Sequence, residues 1–511
     1  MSKLFSDLLA TLPTNDLIKH HGDAPITAPI SESAQTVEAG GIFVARTGLR
    51  VDGHDFIDQA IANGASAIVG EKDLADLPVS YAQVTDSQAI LGWLAAAYHD
   101  FPSRKLTVIG VTGTNGKTTT STLIHSILKP GFGYISTLAA DLGEATTDTG
   151  LHVTTPAAPQ IQAYLARMVE NGLRGCVVEM TSHGLAQGRL NGIDIDVAVL
   201  TNLTHEHLDY HGSFDNYRAA KARMFEMLAT AYRKGTQPKV SIINADDPNA
   251  DYFVAIPADQ YMLYGLGDRA TYRAANIQHR PDGTHFDVSL SDRVVASYDT
   301  SLVGDFNVQN CLAAICAASS IGEISISHLR AGIAAVKGVP GRMERIDEGQ
   351  SFTAMVDFAH TPDALEKVLV TARGMLAEDQ RLIAVFGSAG LRDVEKRRLM
   401  AETSARLADM TVLTAEDPRT ESLDDILAMM AEGCRSQGGV EDETFIRVPD
   451  RGEAIFKACQ MAQPGDIVMS CGKGHEQSMC FGTIEHPWDD RDAMRAALQG
   501  TPLRTLPTAQ S

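Results

Sequence analysis

No stretch of this 511-residue chain approaches the ~18 consecutive apolar residues that a membrane span requires. Met1 to Ile18 carries Asp7 and Asp16 and no long apolar core, so no signal peptide is expected. No basic tract offsets the net charge of −21, which argues against a nucleic-acid partner. A small anionic substrate remains compatible, because local basic residues and helix N-termini decide its binding. The seven cysteines lack paired metal-ligand spacing, and their odd number fits reduced thiols in the cytoplasm better than a disulfide framework. Cys471 reads as a small buried apolar residue. Internal repeats and low-complexity segments are missing too, apart from an expected weakly ordered tail after Gln499. What remains is an ordinary globular composition, 44% hydrophobic and 21% charged, long enough for about three domains.

The most informative segment is Gly110-Val-Thr-Gly-Thr-Asn-Gly-Lys-Thr-Thr-Thr120, directly after the apolar run Leu106–Val111. Glycines between a strand and a helix leave backbone N–H groups free to face phosphate oxygens. Lys117 adds a mobile positive charge, and the Thr118 hydroxyl suits Mg²⁺. A triphosphate such as ATP is the expected ligand. The spacing is unusual, since Val111 stands where strict Walker A spacing needs glycine.

Around this loop the pattern is α/β throughout. Residues 1–104 alternate short strands (Gly41–Ala45, Ala65–Gly70, Tyr81–Thr85) with helical stretches such as Phe56–Asn63, and Phe101–Arg104 reads as a linker. Residues 105–340 offer strands Leu106–Thr112, Gly175–Glu179, Ile195–Asn202 and Val240–Asn244, a helix Asn216–Leu228, and a β-rich insertion over Tyr261–Thr300. Alternation of strands and helices predicts a parallel sheet with its ligands at the carboxyl ends. Residues 341–511 repeat that alternation through Phe352–Phe358, Leu382–Gly387, Thr411–Thr414, Thr444–Val448 and Ile467–Ser470. That is a doubly wound, Rossmann-like unit, but without the glycine fingerprint of a dinucleotide site.

Glu179 ends a sheet strand downstream of the phosphate loop, where a Mg²⁺ ligand belongs. His205, His207 and His211 lie close together in sequence and admit two readings, a zinc site or polar loop residues, and no His-Glu-x-x-His is present. Lys221 sits on the predicted helix, where taken alone it is an ordinary surface lysine.

Taken in series, these segments resemble the Mur ligases, ATP-dependent carboxylate–amine ligases of peptidoglycan precursor synthesis. The loop Gly113-Thr114-Asn115-Gly116-Lys117-Thr118-Thr119 is similar to that family's variant phosphate loop. Asn202-Leu203-Thr204 through His211-Gly212 resembles its second signature, with Glu206 where Asp is usual. Gly304–Asn310, containing Asn307, resembles a nucleotide-contacting segment, and Gly341-Arg342-Met343-Glu344 the junction into the last domain. Val356-Asp357-Phe358-Ala359-His360-Thr361-Pro362 is similar to Asp-Tyr-Ala-His-x-Pro, with Phe358 for Tyr. The resemblance implies an N-terminal uridine-binding domain, a central ATPase domain and a C-terminal amino-acid-binding domain. It implies Mg²⁺ on Thr118 and Glu179, with His207 and a carbamylated Lys221 serving a second ion. Hard Mg²⁺ takes oxygen ligands, which an ammonium cannot offer. Arg342, Asp357 and His360 are then nucleotide contacts, and the enzyme a cytoplasmic monomer.

The same resemblance implies UDP-MurNAc-L-Ala-D-Glu as one substrate and a diamino acid as the other. Ser31-Glu32-Ser33-Ala34 stands for the usual Asp-Ser-Arg of the uridine segment, retaining Ser33. Thr154, Thr155, Ser182, Gln187 and Arg189 are the implied contacts to the muramoyl dipeptide. Gly472-Lys473-Gly474-His475-Glu476 and Glu416-Asp417-Pro418-Arg419 are the implied amino-acid site, with Arg392 nearby. Diaminopimelate carries one carboxylate more than lysine, and a guanidinium grips carboxylates bidentately, so Arg419 favours diaminopimelate. Glu416 accepts no such argument: Glu-Asp in place of the usual Asp-Asn adds negative charge, which suits L-lysine or L-ornithine. Ser388-Ala389-Gly390-Leu391 also departs from the usual Cys-Gly-Gly-Asp. Diaminopimelate is the expected acceptor, with those two amines as alternatives and a non-catalytic nucleotide-dependent homologue as a further one.

Overall fold

The computed structural model of the protein describes residues 2–510 except 14, 49–50, 75, 148, 150–153, 205, 207, 281–282 and 292. Three large sheets organise it, of five, eleven and six strands, each within one stretch of the chain. The first is built from Leu17–His21, Ile30–Ser31, Ile42–Val44, Ala67–Gly70 and Ser80–Val84. Its last helix, Ser87–Tyr98, starts where Asp86 accepts from the Ala89 N–H and packs closely on the central domain. A Cβ on Gly92 would lie 2.3 Å from the Asn191 carbonyl oxygen, so glycine is what lets the two backbones touch.

The expected linker is a pinned joint. Pro102–Lys105 forms a 3₁₀ turn, and the Arg104 guanidinium lies over the rings of Phe101 (3.9 Å) and Tyr232 (4.9 Å). Arg104 Nε also donates to Asp194 at 2.9 Å.

In the central sheet Thr107–Thr112 runs parallel between Gly175–Glu179 on one side and Val197–Leu200 on the other. The chain thus leaves this strand in both directions, and the crevice lies at its carboxyl end. These strands read as continuous apolar runs because helices cover both faces, Lys117–Leu128 and Asp305–Ser320 on one, Ala158–Glu170 and Phe214–Thr230 on the other. The residues over Tyr261–Thr300 do not form a separate insertion. They continue the same sheet through Gln260–Gly265, Tyr272–Arg280, Gly283–Leu290 and Arg293–Thr300, the last two antiparallel. The predicted helix Asn216–Leu228 begins earlier, at Phe214, because the Ser213 side chain accepts from the Asn216 N–H.

The third sheet has the order Glu344–Ile346, Thr353–Asp357, Ile467–Cys471, Leu382–Phe386, Met410–Leu413, Phe445–Arg447, with all but the first parallel. Cys471 is fully buried in its core. The tail beyond Gln499 is packed, contrary to expectation. Leu506 is buried against this domain and the Thr508 hydroxyl donates to Asp450 at 2.8 Å. Leu503 packs against the same core and the Thr505 hydroxyl donates to the Pro487 carbonyl at 3.2 Å, so scattered contacts hold a segment whose composition reads as a tail.

Candidate active site

Two glycines shape the phosphate loop. Gly113 and Gly116 have φ of 150° and 83°. A Cβ would meet Thr201 Oγ1 at 1.8 Å in the first case and Asn310 Oδ1 at 2.4 Å in the second. Gly116 directly precedes helix Lys117–Leu128 and offers no side-chain cap, so the first N–H groups stay open to an anion. The odd glycine spacing has a structural cause: Gly110 belongs to the strand. A Cβ there would press on the sulfurs of Met180 and Met224 at 2.9 Å. The segment after strand Val197–Leu200 clamps the loop from outside. Thr114 N donates to Asn202 O (2.8 Å), Asn115 N to Asn202 Oδ1 (2.9 Å), and Thr201 Oγ1 to Asn115 O (2.6 Å).

Behind the loop lies a buried charge cluster. Glu179 has no exposure, and burial pushes its carboxyl above the usual range, against the pull of Lys117 and Arg342. Thr118 Oγ1 donates to it at 3.2 Å, Thr137 Oγ1 at 3.1 Å and Thr137 N at 3.3 Å. Arg342 reaches Thr118 Oγ1 at 3.4 Å, lies 4.4 Å over the Phe358 ring, and keeps a buried Nε without a hydrogen-bond partner. The Lys117 ammonium folds back onto the carbonyls of Gly113 (3.0 Å) and Thr114 (2.8 Å). Lys221 is not a surface lysine. It is buried, donates to the Gly113 carbonyl at 2.7 Å, and its amine is held well below the usual lysine range by burial and by Lys117. Among the described residues no three His, Cys, Asp or Glu side chains gather as a metal cluster; His205 and His207 lie outside those residues. The Thr118 and Glu179 oxygens, enclosed and carboxylate-bearing, fit a hard cation such as Mg²⁺.

A cavity of about 480 Å³ opens from the loop and is lined by Asn307, Asn310, Arg342, Phe358, His360 and His475 among others. Asn307 is held by Val303 O and Asn310, and Thr119 lines the same wall. Asp357 spends both oxygens on the backbone, accepting from Met343 N and Ala359 N at 2.7 Å. It therefore sets the junction at Met343, whose φ is 47°. His360 Nδ1 engages Phe358 O, and its Nε2 lies 3.4 Å from Glu206. Burial drives the neighbouring His475 imidazole down to about 3.

This space adjoins a larger one of about 1400 Å³, and Glu206, His360, Lys367 and Glu476 line both. On the central-domain side of the larger cavity stand Thr154, Thr155 and Arg189. Arg189 donates to Thr155 O (2.8 Å) and to Gln187 Oε1 (2.9 Å). The Ser182 hydroxyl is buried beside them at the start of a helical turn, without a hydrogen-bond partner. On the C-terminal side stand Arg392, Lys396, Glu416, Asp417, Gly472 and Glu476. Lys473, fully buried, pairs with Asp417 (3.0 Å) and Glu476 (2.6 Å), so one of these two carboxylate charges is offset within the fold. Glu416 is different. Its Oε2 is buried with no partner, and a Cβ on Gly472 would sit 2.3 Å from it.

Two expected contacts stand apart. Ser33 lies in a turn of the first domain, where its N–H donates to Ser31 Oγ, and it lines neither cavity. Arg419 lines neither cavity as well. Its φ is 55°, and its backbone is paired with the Ser478–Phe481 strand through Cys480 O and Gly482 N. Pro418 backs this turn, its carbonyl 2.0 Å from where a Gly390 Cβ would be. Thr137 and Lys396 were not singled out by sequence. Thr137 follows the four-residue strand Phe132–Ile135, and a strand that short carries no periodicity.

Three family models match the chain: the Mur ligase family catalytic domain over residues 30–99, the Mur ligase middle domain over 111–318, and the Mur ligase glutamate ligase domain over 341–474. The chain is 40% identical to UDP-N-acetylmuramoyl-L-alanyl-D-glutamate–2,6-diaminopimelate ligase of Geobacillus kaustophilus (strain HTA426), covering 94% of this chain and 96% of that one. It is 42% identical to UDP-N-acetylmuramyl-tripeptide synthetase of Roseiflexus sp. (strain RS-1), covering 93% and 95%. A solved structure of a UDP-N-acetylmuramoyl-L-alanyl-D-glutamate–2,6-diaminopimelate ligase superposes with a TM-score of 0.63 at 33% identity, over 92% of this chain and 94% of that one. The MurF ligase from Thermotoga maritima in complex with ADP shares the fold, with a TM-score of 0.62 at 21% identity over 88% and 95%.

Proposed function

This chain belongs to the Mur ligase family, and from that premise we propose that it joins diaminopimelate to UDP-MurNAc-L-Ala-D-Glu at the expense of ATP. Amide-forming ligation in peptidoglycan precursor synthesis is the activity of the relatives it matches over most of its length. The finer reading, which acceptor and which residues, is supported above all by one observation. The nucleotide cavity and the larger cavity meet at Glu206, His360 and Glu476, so a carboxylate activated in the first is within reach of an amine held in the second.

In this reading the D-glutamate carboxylate attacks the γ-phosphorus of ATP, giving an acyl phosphate and ADP. The amine then adds to the acyl carbon, and the tetrahedral intermediate collapses to amide, phosphate and a released proton. The phosphate loop and Lys117 hold the triphosphate, and Arg342 lies against Thr118 where charge accumulates on the transferring group. Mg²⁺ held by Thr118 and Glu179 would neutralise phosphate charge. Lys221, with its depressed amine, is suited to carbamylation, because only the neutral amine adds to carbon dioxide. His207 as a further metal ligand rests on the family resemblance.

The acceptor pocket favours diaminopimelate by its balance of charges. Arg392 and Lys396 offer cations to two carboxylates, while Glu416 and Glu476 offer anions to two ammonium groups. Lys473 lies against both Asp417 and Glu476 and offsets one of those two charges, so the two together count as one anion. Soluble, nucleotide-linked substrates place the reaction in the cytoplasm. The test is Lys117→Ala: it should abolish ATP-dependent ligation, and ligation at the normal rate would remove the phosphate loop from the mechanism.

A further inference from the structure

Arg451 and Asp490 are fully buried and belong to none of the motifs described above. Each opens a helix, Arg451–Met461 and Asp490–Leu498. Arg451 donates to both oxygens of Asp490, through Nε and one terminal nitrogen, each at 2.7 Å. Its remaining donors leave the pair: one terminal nitrogen reaches the Ala415 carbonyl at 3.1 Å, the other the Cys471 carbonyl at 2.7 Å. Asp490 also accepts from Trp488 Nε1 (2.8 Å) and Ser470 Oγ (2.9 Å), so the buried charges are fully hydrogen-bonded.

Ala415 and Cys471 are the residues immediately before Glu416 and Gly472. Cys471 ends the strand Ile467–Cys471 and Ala415 lies two residues past the strand Met410–Leu413; the two strands are not sheet neighbours, because Leu382–Phe386 runs between them. No ladder of sheet hydrogen bonds joins their ends. The intervening strand stops at Gly387, where a Cβ would lie 2.5 Å from Thr414 O and 2.7 Å from Glu416 Cβ. Past that glycine the two outer ends converge; the Arg451 guanidinium bonds a backbone carbonyl of each, and the Lys473–Asp417 pair joins them again one residue beyond Gly472 and Glu416. A buried ion pair is weak evidence for stability, since apolar replacements often do as well. Bridging two carbonyls while gripping a carboxylate needs the planar fork of arginine.

We propose that Arg451 is a positioning residue of the acceptor pocket, fixing the spacing between the strand ends that carry Glu416 and Gly472. It touches no substrate and acts through those two residues. The inference rests on the reading of the larger cavity as the amine site.

Arg451→Lys keeps the charge opposite Asp490 and loses the fork. The KM for the amino acid should rise roughly tenfold or more, as for one lost hydrogen bond of about 1.4 kcal/mol. The KM values for ATP and the UDP-linked substrate should stay within about twofold. Trp488→Phe, which removes one donor from Asp490, should produce a smaller rise confined to the same KM and serves if Arg451→Lys does not fold. An unchanged acceptor KM in a folded variant, or three KM values rising together, overturns the inference alone. No amine-dependent turnover by the unmutated protein overturns the functional reading and this inference with it.

Discussion

Lys117 and Lys221 converge on one atom: their Nζ atoms lie 3.0 and 2.7 Å from the carbonyl oxygen of Gly113. Gly113, at φ 150°, is the residue that turns this carbonyl toward both. Two ammonium groups sharing one neutral acceptor repel each other, and burial adds to the cost. The amine of Lys221 is accordingly held well below the usual lysine range, by burial first and Lys117 second.

Lys221→Ala should therefore lower ligation by at least roughly 10–100-fold, the usual scale for losing a group that supports a metal site. A short carboxylate such as acetate, supplied at high concentration, should restore part of the rate by filling the space of the carbamate. Initial rates with and without acetate check this, and a fully active Lys221→Ala enzyme would deny Lys221 its role.

The glycines of the loop should separate cleanly. Gly116→Ala places a methyl 2.4 Å from Asn310 Oδ1 at a positive φ, so nucleotide binding by calorimetry should be lost. Gly110→Ala meets only the flexible ends of Met180 and Met224. It should cost about 1–3 kcal/mol of stability and leave nucleotide affinity intact. Equal effects on binding would place Gly110 in the phosphate site after all.

Selectivity among amines should lie with Arg392, which lines the larger cavity. Arg392→Ala should cut kcat/KM for diaminopimelate by about 1.5–3 kcal/mol, the range of a charge-assisted hydrogen bond, and leave lysine use nearly unchanged. Losses of equal size for both amines would take selectivity away from Arg392.

Acid stability should be limited by a histidine remote from the reaction. His125, stacked on Tyr134 at 4.6 Å, is held down to about 4 by burial and, secondarily, by Lys129. Its folded value is below the unfolded one, so the unfolded chain gains a proton first as pH falls. The contribution of His125 should thus drop by up to about 1.4 kcal/mol per pH unit from near 6.5 to near 4 and then level off. His125→Phe should reduce the slope over that range in denaturant unfolding and leave the part due to His475, which burial likewise holds down, to about 3. An identical slope in the variant would assign the loss elsewhere.

Much of the site is readable in sequence because it consists of short polar signatures at strand ends. The loop 113–119, Glu179, the 304–310 segment, Arg342, Asp357–His360 and the turn at 472–476 all announce themselves locally, and the structure gathers them around two adjoining cavities, with Glu179 buried behind the loop. What stays hidden depends on partners distant in the chain. Asp417 reads as added negative charge until Lys473, 56 residues on, is found against it. Arg451 reads as one more helical arginine until its contacts at Ala415 and Cys471 are seen. Lys221 reads as a surface lysine until the helix is rotated against the loop. Arg419 keeps its identity but not the expected direction, since its backbone is committed to a neighbouring strand.

The central claim is that this chain couples ATP cleavage to amide formation on diaminopimelate. Phosphate release by the purified protein, with ATP, Mg²⁺ and UDP-MurNAc-L-Ala-D-Glu, measured across diaminopimelate, lysine and ornithine, tests it most directly. The account predicts release that requires both the UDP-linked substrate and an amine, with diaminopimelate the best of the three. Release independent of the amine, or a clear preference for lysine or ornithine, would contradict it.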